Sequence, residues 1–104
     1  MSFTIVQGGD GPASLRLTGE LDVAEADGLI ERASAALPAE GSLVLEVDEL
    51  SFIDSSGVRA LVTIAGMLPQ GGRLVLRAPT AAVRRVLELV GISGTTAAID
   101  VEDA

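Results

Sequence analysis

The sequence predicts an α/β fold: a mixed, mostly parallel sheet of roughly four to five strands with its helices packed on one face, in the order β-β-α-β-α-β-α-β. Three observations predict it. Segments with apolar residues at every second position take turns with segments of helical period, after a leading pair of strands. Each helical segment joins two strand segments, as parallel neighbours require. The strands alternate apolar with polar residues instead of running continuously apolar, so one sheet face is expected to meet water.

Taken in order, Ser2 to Gln7 sets Phe3 and Ile5 against Thr4, and Ala13 to Thr18 sets Leu15 and Leu17 against Ser14, Arg16 and Thr18. Both read as half-buried strands. Gly8-Gly-Asp-Gly-Pro12 joins them as a hairpin loop, because it has neither the spacing nor the lysine of a phosphate-binding loop. From Asp22 the period changes, and Val23, Ala26, Ile30, Ala33 and Leu37 form one helical stripe that Pro38 closes. Asp22 and Glu25 stand as an N-cap and its partner three residues on. The strand Ser42 to Val47 follows. After Asp-Ser-Ser-Gly a second helix runs from about Ser55 to Leu68, apolar on most of its circumference through Val58, Leu61, Val62, Ile64, Ala65, Met67 and Leu68. It is expected to be the most buried helix. Gly71-Gly72 turns into the strand Arg73 to Arg77, and Pro79-Thr80 starts a third helix with the stripe Val83, Val86, Leu87 and Val90. Gly91 fits its C′ position. A last strand spans Ala97 to Val101, and an acidic tail follows.

Arg16, Glu46, Arg73 and Arg77 fall on one side of their strands, and Leu15, Leu17, Leu43, Leu45, Val47, Leu74 and Leu76 on the other. The charged side should be solvated and internally paired, with all three helices opposite, where right-handed crossovers between sequential neighbours place them.

Composition restricts the chemistry. At 104 residues, 48% of them hydrophobic, residues 1–104 make one small domain with a single core and no linker, repeat or low-complexity tract. Cysteine and histidine are absent, and every basic residue is arginine. Disulfides, thiol nucleophiles, the usual general bases and lysine chemistry are therefore excluded, and no catalytic residue, cofactor or metal is expected. The net charge of −8 opposes binding to nucleic acid, and a basic protein surface suits it better. With two Phe and no Trp or Tyr the chain also lacks platforms for stacking bases. The N-terminus has no signal-peptide pattern, and the longest uncharged apolar stretch, Ala60 to Leu68, is far too short to insert in a membrane. A cytoplasmic protein is expected.

The stretch Ser42-Leu-Val-Leu-Glu-Val-Asp48 followed by Phe52-Ile-Asp-Ser-Ser-Gly57 runs an apolar strand into a helix start. Unpaired N–H groups and the positive end of the helix dipole stabilise an anion there, so a phosphate could sit on Ser55 or Ser56. Asp54, Ser55 and Ser56 equally fit plain capping of the helix.

Thr18-Gly-Glu-Leu-Asp22, Phe52-Ile-Asp-Ser-Ser-Gly57, Gly71-Gly-Arg-Leu-Val-Leu and the helix end Val83-x-x-Val-Leu-x-x-Val-Gly-Ile92, in this order and at these separations, resemble a STAS domain. More closely the chain is similar to the free-standing bacterial anti-sigma factor antagonists, over nearly its whole length. The resemblance implies a partner-switching protein whose unphosphorylated form binds an anti-sigma factor with serine kinase activity and frees the sigma factor. Phosphorylation by that kinase releases the antagonist, and a PP2C-type phosphatase restores it. By position, the resemblance implies phosphorylation at Ser55 and partner binding around Asp22, Asp54, Ser56 and Gly57. The pattern departs in one respect: antagonists of this type often carry another C-terminal helix, which this sequence does not show after its last strand.

Two other readings use the same residues. A STAS docking or regulatory subunit of a transporter or larger signalling assembly would use the fold without requiring the Ser55 hydroxyl. A hydrolase with Ser55 as nucleophile would need a base, and the chain has neither histidine nor Gly-x-Ser-x-Gly.

Overall fold

The computed structural model describes residues 2–9, 11, 13–91 and 98–103. Along them run β1 (Phe3–Gln7), β2 (Ser14–Leu21), α1 (Val23–Ala35), β3 (Leu43–Ile53), α2 (Ser55–Met67), β4 (Leu74–Arg77), α3 (Ala81–Leu89) and β5 (Ile99–Glu102). The five strands form one sheet in the order β1-β2-β3-β4-β5. β1 is antiparallel to β2, and every other pair is parallel. Asp10 and Pro12 of the predicted hairpin loop, Ile92 of the predicted helix end and Ala97 of the predicted last strand lie outside the described residues. No helix among the described residues is long and apolar enough to cross a membrane.

The alternation in the strands is realised as a two-layer fold. Leu15 and Leu17 of β2, Leu43 and Leu45 of β3, Leu74 and Leu76 of β4 and Ile99 of β5 share one core with the inner residues of all three helices. α2 contributes most, burying Gly57, Val58, Ala60, Leu61, Ile64 and Ala65, against three buried residues in α1 and two in α3. Its apolar circumference predicted this rank. Thr80 caps α3 by accepting the Val83 N–H, and Gly91 follows the helix with φ +72°, a left-handed conformation that glycine adopts without steric cost.

On the other face the charged residues pair across strands. Arg16 meets Glu46 at 2.6 Å and Asp48 at 3.0 Å, Arg73 meets Asp100 at 2.7 Å, and Arg77 meets Glu102 at 2.8 Å. Asp48 above all, then Glu46 and Glu49, hold the Arg16 pKa above its ordinary value, and the hydrogen bond that Arg73 donates to Asp100 does the same for Arg73. One residue departs from the expected solvated face: Glu46 is only 8% exposed. The hairpin loop folds over it, so that Oε2 accepts the Gly9 N–H at 2.8 Å and the Ser14 hydroxyl at 2.9 Å. A Cβ on Gly8 would lie 2.1 Å from the Ser14 Oγ and 2.6 Å from the Glu46 Oε2, so this closure requires glycine there.

Two elements differ from their predicted form. β3 runs on from Val47 to Ile53, six residues past its predicted end. Its register with β2 shifts between Arg16 and Thr18 and again between Gly19 and Glu20, and each shift admits one extra β3 residue. These irregularities break the strict alternation by which a strand is read. In α1 the fully buried residue is Leu29, whereas Val23 is 73% exposed and Ile30 half-buried. Leu29 faces the sheet, and Ile30 turns toward α2, where it lines a cleft between the two helices. Leu37 lies beyond the end of the helix at Ala35.

Candidate functional site

β2 and β3 are parallel neighbours and end in register, Leu21 opposite Ile53. The next residue in each chain segment is an aspartate, and each aspartate starts a helix. The Asp22 Oδ1 accepts the Ala24 N–H at 3.0 Å. The Asp54 Oδ1 accepts two amides, Ser56 N–H at 2.9 Å and Gly57 N–H at 3.1 Å. The backbone N–H of Asp54 donates to the Leu21 carbonyl at 3.3 Å, which ties the start of α2 to the end of β2. Asp22 and Asp54 thus sit side by side at the C-terminal ends of β2 and β3, along one rim of the sheet, each half-buried.

Capping explains Asp54 and leaves the serines unexplained. Ser55 is the first residue of α2 and Ser56 the second, and Asp54 alone is the cap. Among the described residues the Ser55 hydroxyl makes no hydrogen bond, and the residue is exposed. Ser56 is half-buried and lines the α1–α2 cleft, a space of about 170 Å³ walled also by Val23, Ala26, Asp27, Ile30, Arg59 and Thr63. Of the two, Ser55 is the more exposed.

Gly57 is buried, so it shapes the site from below. A Cβ there would stand 2.7 Å from the Ile53 Cγ1 and 2.9 Å from the Leu21 Cγ, closer than packed carbons approach. The absence of a side chain lets the first turn of α2 lie directly on the ends of β2 and β3, and that height presents Ser55.

Sequence reasoning missed the apolar rim of this edge. Val23, directly after Asp22, is 73% exposed, and Phe52, two residues before Asp54 and opposite Glu20, is 45% exposed. The available signals were a valine placed directly after a cap and one of only two phenylalanines in the chain at a strand end. Arg59, four residues after Ser55, was legible from spacing alone. Among the described residues no group of three or more acidic side chains is placed to hold a metal ion.

A family model described as "Mlab, STAS domain" matches residues 5–99. The chain belongs to the STAS-domain family. This STAS domain is similar to the structure of the anti-sigma factor antagonist SpoIIAA in its unphosphorylated form, with 25% identity, 99% of this chain and 88% of that chain covered, and a TM-score of 0.76. It also has the fold of an anti-sigma factor antagonist from Mycobacterium paratuberculosis, at 23% identity, with 97% of this chain and 86% of that one covered and a TM-score of 0.79. The Asp54-Ser-Ser-Gly57 turn of this STAS domain is the part of the edge that offers a free hydroxyl.

Proposed function

We propose that this STAS domain is an anti-sigma factor antagonist that works by partner switching in the cytoplasm. Unphosphorylated, it binds an anti-sigma factor that is also a serine kinase, and the sigma factor is freed. Phosphorylated on Ser55, it leaves, and a PP2C-type phosphatase returns it to the binding state. The reading rests on one observation: an exposed hydroxyl with no hydrogen-bond partner among the described residues stands directly after the cap of α2. It is supported by the likeness to an antagonist solved in its unphosphorylated form.

In the transfer, the Ser55 Oγ attacks the γ-phosphorus of the nucleotide, the bond from that phosphorus to the leaving diphosphate breaks, and the hydroxyl proton passes to a base on the kinase. Nucleotide, magnesium and base all belong to the kinase, because this chain has no lysine or histidine. The product carries about −1.5 to −2 additional charge at a helix N-terminus, which the dipole stabilises. The fold therefore stays as it is. Release comes from bulk and repulsion at a docking edge where Asp22, Asp54, Ser56, Val23 and Phe52 surround the phosphate, with Gly57 supporting them. On this reading the protein is a regulator and not an enzyme.

Incubation with the kinase and ATP, followed by intact mass and site mapping, tests it. One phosphate is expected on Ser55, none on Ser55→Ala, and an unchanged yield on Ser56→Ala. Undiminished phosphorylation of Ser55→Ala would remove the assignment. A second reading, a docking subunit of a larger assembly, is favoured by the matched family model, whose description names no antagonist. It predicts that Ser55 stays unmodified in cells and that Ser55→Ala and Ser55→Glu bind the assembly alike.

A further inference from the structure

The chain has seven basic residues, all arginine, among fifteen acidic ones. Arg16, Arg73, Arg77 and Arg84 are paired with carboxylates, and Arg32 donates to the Ile5 carbonyl. Among the described residues this leaves the guanidinium groups of Arg59 and Arg85 without a hydrogen bond or ion pair. Arg85 is on α3. Arg59 is on α2, four residues after Ser55 and exposed, in the wall of the α1–α2 cleft.

Residues four apart on a helix have their Cβ atoms about 5–6 Å apart on one surface, and an anion placed N-terminal to its cation is the favoured order. Ser55 and Arg59 have that spacing and would have that order once the serine is phosphorylated. The carboxylates around them are otherwise engaged or out of reach. Asp54 and Asp22 accept helix amides, and Asp27 lines the same cleft without coming within ion-pair distance of Arg59.

We propose that Arg59 is the internal receiver of the phosphate on Ser55, closing a guanidinium–phosphate pair along one turn of α2. The proposal rests on Ser55 being the phosphorylated residue and adds what the modification does next. In the unphosphorylated protein Arg59 is an exposed cation at the docking edge, available to a carboxylate of the partner. In the phosphorylated protein the same guanidinium is folded onto the phosphate through charge-assisted hydrogen bonds. Phosphorylation then acts on the partner twice, by adding negative charge and by withdrawing a cation.

The test uses the full chain with phosphoserine installed at position 55 during synthesis, so that its outcome does not depend on any kinase. A neighbouring cation favours the dianionic phosphate and lowers its second pKa. Titration followed by phosphorus NMR should place that pKa about 0.2–0.4 unit lower in the parent protein than in Arg59→Gln. Arg85→Gln should titrate like the parent, and Arg59→Lys should keep part of the shift. Identical titration of the parent and Arg59→Gln overturns the proposal. So does an equal shift in Arg85→Gln, which would mean that only net charge is felt. Failure of the kinase assay with success of this titration would reject Ser55 as the natural site while leaving the pairing intact.

Discussion

Gly57 and Asp54 set the position of one hydroxyl by opposite means, one through a missing side chain and one through a carboxylate that accepts two amides. Gly57→Ala forces a methyl group into the side chains of Ile53 and Leu21. It should lower stability in urea by about 1–3 kcal/mol, as overpacked sites do, and should slow phosphorylation of Ser55 because the first turn of α2 must lift. An alanine variant as stable and as good a substrate as the parent would show that the close packing does not position the serine. Ser55→Glu should keep the parent's thermal stability, since the new charge sits at a favourable helix end. It should weaken partner binding less than phosphorylation does, having one charge and no tetrahedral oxygens. At this scale the cap was legible, because aspartate between an apolar strand and a helical pattern has few other uses. The burial of Glu46 was not. It depends on a loop folding back over the sheet, and strand alternation carries no trace of that.

Periodicity reads the limits of a helix well when most of its circumference is apolar, and its inward direction poorly when a narrower apolar stripe is divided between two neighbours. α2 faces the core over most of its surface, and its predicted and observed limits agree within one residue, Leu68 against Met67. α1 meets both the sheet and α2, so its apolar residues spread over two directions and the single stripe drawn through Ile30 left out Leu29. The two residues give an element-scale test. Leu29→Ala should cost about 2–5 kcal/mol, as for other fully buried leucines, whereas Ile30→Ala, at the cleft, should cost clearly less. Equal shifts in denaturant midpoint would place Ile30 in the core after all. β3 was cut short for a related reason: two register shifts put Asp48-Glu49 and Ser51-Phe52 at the surface in the middle of a continuous strand. An alternation that restarts twice looks like a strand that has ended.

For the whole molecule, order and direction of the strands were legible, since helices linking successive strands leave few arrangements open. The distribution of charge was only half legible. Four arginines are consumed by pairing with carboxylates, three of them on the open sheet face, and the acidic surplus remains largely on the helical side, with Asp22, Glu25, Asp27 and Glu31 all at α1. A partner approaching the Ser55 edge therefore meets a negative field. Its association rate should fall as salt rises, and Asp22→Asn with Asp54→Asn should reduce the salt dependence; tighter binding by the double variant would contradict the proposed surface. The guanidinium groups on the sheet face set the response of their pairs to alkali. Because the pKa values of Arg16 and Arg73 are raised by folding, their contribution holds from neutral pH up to the ordinary guanidinium pKa and is lost only as pH rises beyond it. Alkaline titration from neutral pH to about 10 should leave the thermal midpoint unaffected by these two groups.

Since β2, β3 and β4 are parallel, the helices that follow them all begin at the same rim, capped by Asp22, Asp54 and Thr80. Their dipoles therefore add instead of cancelling, and the two rims differ in which inherited changes they accept. Along the rim of helix starts, an acidic or phosphorylatable residue can be gained with little harm to the fold. Along the opposite rim the same change meets exposed carbonyl ends and is disfavoured. Variation in this chain is thereby channelled, and a second regulatory charge has two further places, the starts of α1 and α3, on the same side of the molecule as Ser55.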